Sequence, residues 1–463
     1  NGDLRISRRA FMSGSLIAPF AASRAYAQGF AGLAYTRQQR QYGLPGHDHS
    51  HEHCALQGET LACEAEPDGE PHHGALPPQV DLTSQRWELR ADRQAPWRGV
   101  AQLSFRGNYT DYQHQELEEG VVGTTFANRG HDARLELTLQ PWAGWRSVVG
   151  LQTSQSRLSA LGDEALMPVT HTQTHSLFWL GHRPLSTRWH VEGGVRGEWQ
   201  RIQPQSPQPQ FQGHAWSASL GSGWQLSPHD QLSLTLSRSQ RLPNAQERYA
   251  HGMHLASNTF ELGDPALVPE TVNGLELGLR RATGAWRYAF SVFGQRAQDY
   301  VYARTLDQHE GLRLIRYSQS GARFRGGELE IGHPINARGR WKLWADTVRS
   351  SLQWGGVLPR QPADRLGLRL DQRLWGSWTG ELEWLHAFAQ KNTADFESPT
   401  PAHDLLNATL RHQGVLKSSN TDYSLFVTGK NLLNQTVVQH TSFLASRVPD
   451  PGRAFSVGVQ LNF

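Results

Sequence analysis

Apolar and polar residues alternate with a period of two along much of this chain, and this pattern limits its possible folds more than any other feature. In the runs Leu135–Leu139, Leu232–Leu236, Leu275–Leu279 and Leu366–Leu370, every second residue is leucine and the residues between are polar or glycine. Because successive side chains of a β-strand point to opposite faces, each run predicts a strand with one apolar and one polar face. The chain is therefore predicted to be all-β.

The connections between these segments distinguish a soluble sandwich from a transmembrane antiparallel β-barrel. We count about eighteen strand-like segments from Gly29 onward. Short connections fall near residues 94–97, 183–186, 227–230, 283–285, 334–339 and 374–377, and long ones near 43–78, 241–270, 391–401 and 431–451. Short turns that alternate with long loops are typical of outer-membrane barrels, in which the apolar face meets lipid and the polar face lines a wet interior. The pattern favours the barrel.

Aromatic residues support the same interpretation. The last segment alternates up to a terminal aromatic residue, as outer-membrane barrels do, through Phe455, Val457, Val459, Leu461 and Phe463. The 16 tryptophans include several near the ends of alternating runs, namely Trp142, Trp145, Trp224, Trp286 and Trp375. Such placement is typical of an aromatic girdle at a membrane interface.

Composition excludes several other classes of protein. The mean hydropathy is −0.56, and no stretch approaches the roughly 18 apolar residues of a membrane-spanning helix. The net charge of +3 is too small to predict nucleic-acid binding. The sequence contains no phosphate loop, no nucleophile elbow and no nucleophile–base pattern, so we do not expect an enzyme.

The first 28 residues differ from the rest of the chain. Ser7–Met12 resembles a twin-arginine export motif, a weakly apolar stretch follows, and Ala25–Ala27 offers the small-x-small pattern that signal peptidase cuts after. We therefore expect residues 1–28 to be an export signal or an unrelated segment, and the barrel to occupy residues 29–463.

The predicted loop over residues 43–78 is rich in metal-binding side chains. Seven Asp and Glu residues fall between positions 47 and 73. The same stretch holds six of the 22 histidines, namely His47, His49, His51, His53, His72 and His73. Neutral imidazole and carboxylate are zinc ligands, and a flexible loop can wrap an ion without a preformed site. Copper and nickel also bind imidazole, so ligand type alone does not select zinc.

Two further pairs of residues are candidates. His251 and His254 lie three positions apart in the second long loop, where a helical turn would place both on one side as metal ligands. Cys54 and Cys63 are the only cysteines, and their spacing permits either a disulfide or a shared metal.

Three stretches resemble TonB-dependent receptors. They are the GKNLLN sequence at Gly429–Asn434, the block from Arg241 to Glu270 that contains Phe260–Pro265, and the Phe463 ending. Within that family the chain is most similar to zinc-uptake receptors of the ZnuD type, at Gly29–Tyr35, Gln41–His47, Tyr249–Glu261 and Gln439–Leu444.

The resemblance implies an outer-membrane receptor of a Gram-negative bacterium that takes up Zn²⁺ with the TonB–ExbB–ExbD complex. A metal-sequestering barrel and a non-functional receptor fragment are the alternatives, and a siderophore or heme receptor ranks below them. Receptors of this kind carry an N-terminal plug domain with a TonB box and a barrel of about 22 strands, so we expect about four strands and the plug to be absent here. Without a plug, we expect no energised uptake.

The resemblance also bears on the cysteines. The corresponding loop of the zinc receptors carries two cysteines, and we therefore predict that Cys54 and Cys63 form a disulfide that closes a small external subloop.

Overall fold

The computed structural model describes residues 5–6, 16–26, 28–44, 54–63, 78–118, 120–416, 421–445 and 447–462, and for residues 5–26 it defines the backbone only. The first part of the chain forms the strands β1 Arg5–Ile6, β2 Leu16–Tyr26, β3 Gly29–Gly43, β4 Cys54–Gln57, β5 Thr60–Cys63, β6 Gln79–Gln94, β7 Val100–Glu118, β8 Val121–Leu139, β9 Arg146–Gly162, β10 Thr170–Pro184, β11 Trp189–Pro204, β12 Phe211–Gln225 and β13 Asp230–Arg241.

The second part begins with a short helix and a small hairpin inside a long loop. Its elements are α1 Ala245–Tyr249, β14 His251–His254, a 3₁₀ turn at Leu255–Ser257, β15 Thr259–Leu262, β16 Glu270–Arg281, β17 Arg287–His309, β18 Leu312–Asn336, β19 Gly339–Leu352, β20 Arg365–Arg373, β21 Trp378–Ala387, β22 His403–Leu416, β23 Thr421–Lys430 and β24 Ala454–Asn462. Among the residues described, no helix is long and apolar enough to cross a membrane.

The chain divides into two compact units. The first comprises Asn1–Gly221, Ser237–Asn273 and Ala297–Ser320. In it, β1, β2, β3, β6, β7, β8, β9, β10 and β11 pair in that order, each antiparallel to the next. The separate hairpin β4–β5 belongs to the loop after β3.

The second unit comprises Ser222–Leu236, Gly274–Arg296 and Gly321–Phe463. Here β18, from residue 322 onward, and β19 to β24 form an antiparallel ladder in sequence order. The GKNLLN stretch ends β23 with a turn at Asn431, whose φ is 47°. The side-chain oxygen of Asn431 accepts a hydrogen bond from the backbone N–H of Gln435 at 2.9 Å, and this fixes the start of the loop.

The apolar faces of these strands are exposed. Along β24 the exposed fractions of Phe455, Val457 and Val459 are 69%, 78% and 63%. The leucine runs of β13 and β16 are also exposed, at Leu234, Leu236, Leu275 and Leu277. A soluble sandwich would bury these side chains in its core, whereas a transmembrane barrel presents them to lipid. The exposure therefore agrees with the predicted barrel strands and excludes the sandwich.

The predicted connections lie where the sequence placed them, although the end of the strands with the long loops also carries the two-residue turn Glu310–Gly311 between β17 and β18. The described residues from Gly29 onward contain eighteen long strands outside the loop hairpins, in agreement with the sequence count. All six predicted short connections lie at turns between these strands, and all four predicted long connections lie at loops. We call the two ends of the strands the short-turn side and the long-loop side.

Two local expectations differ from the structure. β2 pairs with β3 along its whole length, from Leu16 opposite Gln39 to Tyr26 opposite Gly29, so strand structure begins before the predicted boundary at residue 29. Strand pairing needs only main-chain hydrogen bonds, which is why a weakly apolar segment can join the sheet. Residues 251–254 form a strand and not the predicted helical turn.

Candidate metal site on the long-loop side

One arginine clamps both ends of the loop between β13 and β16. The Arg241 guanidinium donates to both oxygens of Glu270, at 2.8 and 3.1 Å, and to Glu247 of α1 at 2.9 Å. The two carboxylates are largely buried. Burial alone would lower the pKa of Arg241, but the hydrogen bonds and charges of Glu270 and Glu247 outweigh it and raise that pKa further above its usual range. The loop is therefore held at fixed ends.

The helix α1 begins with a capping box. The Asn244 side chain accepts from the Glu247 N–H at 2.9 Å, and the Glu247 carboxylate accepts from the Asn244 N–H at 2.8 Å. Gly263 then passes so close to the helix that a Cβ atom would lie 2.6 Å from the backbone of Arg248 and Tyr249. This close approach requires a glycine at position 263 of the Phe260–Pro265 stretch, because any side chain would push the two segments apart.

The hairpin β14–β15 carries a buried carboxylate that four side chains surround. Glu261 is 3% exposed, and its Oε2 accepts from Gln246 Nε2 at 2.7 Å and from the Tyr317 hydroxyl at 3.0 Å. Its Oε1 lies 2.9 Å from His254 Nδ1 and accepts from the Thr259 hydroxyl at 3.3 Å. Burial would raise the pKa of Glu261, but the hydrogen bonds from His254 and Gln246 outweigh it and hold that pKa below its usual range. The carboxylate is therefore charged and orients the imidazole.

This arrangement directs the other ring nitrogen of His254. Metal-binding histidines in proteins commonly donate one ring N–H to a carboxylate, which fixes the tautomer and makes the second nitrogen a stronger ligand. With Nδ1 directed at Glu261, His254 offers Nε2, and its side chain is 29% exposed. The geometry suits a metal ligand with a preset orientation.

His251 does not share this position. It lies at the other end of β14, opposite Leu262, and its ring meets the edge of Phe260 with centroids 6.0 Å apart. Residues three apart on a strand point to opposite faces, so the predicted common side of His251 and His254 is wrong. The structure brings His254, and not His251, to the Glu261 carboxylate.

A second buried carboxylate supports the same hairpin. Glu164, in the loop after β9, accepts a hydrogen bond from the Leu255 N–H at 2.7 Å, and its own N–H donates to the Thr124 hydroxyl at 2.9 Å. Burial, together with the charge of Glu116 and a hydrogen bond with it, raises the pKa of Glu164 to about 8. Glu164 is thus protonated at neutral pH and ties the segment next to His254 to β7 and β8.

The histidine-rich loop has one described part, the hairpin β4–β5. Cys54 and Cys63 stand opposite each other in it and are joined by a disulfide. The Leu61 N–H donates to Asp307 at 2.8 Å, and Arg316 pairs with Glu59 at 2.6 Å.

Apolar contacts continue this anchorage. Leu56 and Leu61 pack against the cluster of Phe260, Leu262 and Leu314. The disulfide hairpin is therefore fixed against the same hairpin β14–β15 that holds Glu261.

The predicted loop ligands His47, His49, His51, His53, His72 and His73 lie outside the described residues. In sequence, His53 directly precedes Cys54, so the histidine run is tethered at the docked disulfide hairpin. Sequence reasoning missed the roles of Glu261 and Glu164. Glu261 lies in the Phe260–Pro265 stretch that resembles TonB-dependent receptors, so the sequence could have indicated it. No sequence pattern marks Glu164.

Strands with exposed apolar faces, joined by short turns and by long loops, are those of an outer-membrane β-barrel protein. Residues 24–432 match the family model described as TonB dependent receptor-like, beta-barrel, and the chain belongs to this family. The family is one of outer-membrane receptors and transporters of Gram-negative bacteria that work with the TonB–ExbB–ExbD system, and it is not a family of enzymes.

Solved structures show the same fold at low sequence identity. The copper transporter OprC matches with a TM-score of 0.71 and 14% identity, over 99% of this chain and 80% of that chain. The FrpB iron transporter from Neisseria meningitidis matches with a TM-score of 0.71 and 12% identity, over 96% and 71%. The siderophore receptor PirA from Pseudomonas aeruginosa matches with a TM-score of 0.63 and 13% identity, over 96% and 70%.

Proposed function

We propose that this TonB-dependent receptor binds and takes up a transition-metal ion, and that the ion is Zn²⁺. The observation that carries the proposal is the contact of 2.9 Å between His254 Nδ1 and the buried Glu261 carboxylate, which presets His254 as a metal ligand. The histidine-rich sequence tethered at the docked Cys54–Cys63 hairpin supplies further imidazoles. His254 would be the fixed ligand, and the loop histidines would complete the coordination.

The identity of the ion is part of the proposal. Imidazole with no thiolate suits zinc, and it also suits copper and nickel. The similar structures include a copper transporter, an iron transporter and a siderophore receptor. The case for zinc comes from the resemblance of the Tyr249–Glu261 and Gln439–Leu444 stretches to zinc receptors.

Metal titration of the purified chain in detergent tests this function. We expect Zn²⁺ to bind more tightly than Ni²⁺ in isothermal titration calorimetry with a competing chelator, and binding to weaken as pH falls through about 6.5, where imidazoles become protonated. His254→Ala and the combined replacement of His47, His49, His51 and His53 by alanine should each weaken or remove long-loop binding.

The control is His175→Ala, because His175 contacts Thr153 on β9 and takes no part in the proposed site. If His254→Ala and the loop variant both bind zinc like the wild type, the site is elsewhere. If zinc binds but a receptor-deficient strain that carries the full-length gene accumulates none, the protein is a metal-sequestering surface and not a transporter.

A further inference from the structure

A second group of potential metal ligands lies at the opposite ends of the strands. His182 is near the end of β10, and His190 and Glu192 are near the start of β11, on either side of the turn at residues 185–188. His182 stands directly opposite Glu192 in the strand register, and cross-strand partners share a face of the sheet. His190 precedes Glu192 by two residues and therefore points to that same face.

The three side chains are close enough to hold one ion. One ligand atom from each lies within 4.8 Å of the others. His190 Nε2 is 3.5 Å from Glu192 Oε1, and the rings of His182 and His190 have centroids 5.2 Å apart. Two ligands on one tetrahedral zinc, each about 2.0–2.1 Å from the metal, lie about 3.4 Å apart. One pair is already at this separation, and a small side-chain rotation brings in the third.

Neighbouring residues fix the backbone of the turn between β10 and β11 and show which face of the sheet carries the three ligands. The turn is closed by the Leu185 N–H donating to the Trp189 carbonyl at 2.8 Å. Trp189 and Val195, at the other parity of β11, are about half exposed and belong to the apolar face. His190 and Glu192 instead share the parity of the Arg196–Glu198 ion pair, so the three ligands lie on the polar face.

We propose that His182, His190 and Glu192 form a binding site for a divalent transition-metal ion of the zinc class on the short-turn side. Two imidazoles and one carboxylate are the ligand set of open zinc sites, whereas closed structural sites use four protein ligands. The fourth position is left to water or to an exchanging ligand. Glu192 is 61% exposed, so it can move to and from the ion.

The position suggests a use for this site. In outer-membrane barrels the short turns face the periplasm, so an ion held here is at the end of the strands where cargo leaves. That role rests on the proposed function, but the site itself does not, because none of its residues lies in the 43–78 or 241–270 loops. Its open coordination position suits an ion that is passed on rather than retained.

Metal titration with spectroscopic detection tests the site in the full purified chain. Co²⁺ is the probe, since its visible absorption reports the number and type of ligands. In the background of the His254→Ala and loop-histidine replacements, we expect Co²⁺ and Zn²⁺ still to bind, with one equivalent lost on His182→Ala combined with His190→Ala. Glu192→Gln should weaken binding and shift the Co²⁺ absorption. If the His254→Ala and loop-histidine replacements remove no equivalent of metal, while the His182→Ala and His190→Ala pair still removes one, the proposed cargo site fails and this site stands.

His175→Ala is the matched control, because His175 lies on β10 at the opposite parity from His182. A second measurement needs no variant: diethylpyrocarbonate labelling of the wild type, read by peptide mass spectrometry, should show Zn²⁺ protecting His182 and His190 and leaving His175 unchanged. Equal labelling with and without zinc would overturn the site. So would an unchanged Co²⁺ spectrum in the double variant, provided that this variant shows the gel mobility of the folded wild type.

Discussion

Two carboxylates, Glu261 and Glu192, each stand beside a histidine but in opposite environments. Glu261 is 3% exposed and receives hydrogen bonds from four side chains, while Glu192 is 61% exposed and has His190 as a neighbour at 3.5 Å. A carboxylate whose oxygens are already engaged positions a ligand, whereas an exposed one is free to be a ligand itself. In the two proposed sites a Glu–His pair therefore serves two different roles, and the burial of the carboxylate determines which.

The largest expected effect comes from removing the buried carboxylate. Glu261→Ala removes the acceptor of Gln246, Tyr317 and His254, and leaving buried donors unsatisfied costs about 1–3 kcal/mol. Zinc affinity at the long-loop side should fall by about 10- to 100-fold, because His254 loses its orienting partner. Denaturant titration and calorimetry of the purified chain measure the two effects.

The conservative variant sharpens this result. Glu261→Gln keeps the side-chain volume and one acceptor oxygen, so it should retain more stability than the alanine variant while still losing zinc affinity. Wild-type stability in Glu261→Ala would show that the hydrogen bonds around Glu261 do not hold the loop.

A pH-dependent effect separates Glu261 from the other buried carboxylate. The pKa of Glu164 is raised from 4.5 to about 8 by burial and by Glu116. Because the folded chain binds the extra proton, the free energy of unfolding should decrease as pH rises from 4.5 to about 8, and the full loss is present above that value. Glu164→Gln, which keeps an acceptor for the Leu255 N–H, should flatten this dependence. Thermal midpoints between pH 5 and 9 test this, and parallel profiles for both proteins would contradict it.

A smaller effect is expected from the disulfide. Intact-mass measurement without reductant should show the chain lighter by two hydrogen atoms than after reduction. Cys54→Ser with Cys63→Ser should weaken long-loop zinc binding by less than about tenfold, because the tether only raises the local concentration of histidines. Arg316→Gln, which removes the contact with Glu59, should act in the same direction. Quantitative thiol labelling of the unreduced wild type in intact cells would refute the disulfide.

The smallest expected effect completes the comparison. Glu192→Ala should change the free energy of unfolding by no more than about 0.5 kcal/mol, since the side chain is exposed. The same variant should still weaken metal binding at the short-turn side. A large loss of stability would mean that Glu192 is a structural residue like Glu261, and the distinction between the two carboxylates would fail.

Sequence alone determined the eighteen long strands from Gly29 onward, but not β2 or the hairpin β14–β15. Alternation at positions such as Leu275–Leu279 has a period that only a strand satisfies, and the lengths of the connections follow directly from where the alternation stops. The terminal run Phe455–Phe463 likewise predicted an exposed apolar face, which the structure shows for its described residues. These are local properties, readable from neighbouring residues.

Tertiary structure decided the sites. His254 meets Glu261 because the β14–β15 hairpin folds them together, and Glu164 reaches Leu255 across 91 positions of sequence. His182 and Glu192 become partners only through strand register. Whether a carboxylate is buried depends on which segments pack over it, and that packing brings together residues distant in sequence. Local periodicity therefore located the strands, while the chemistry between them followed from long-range contacts.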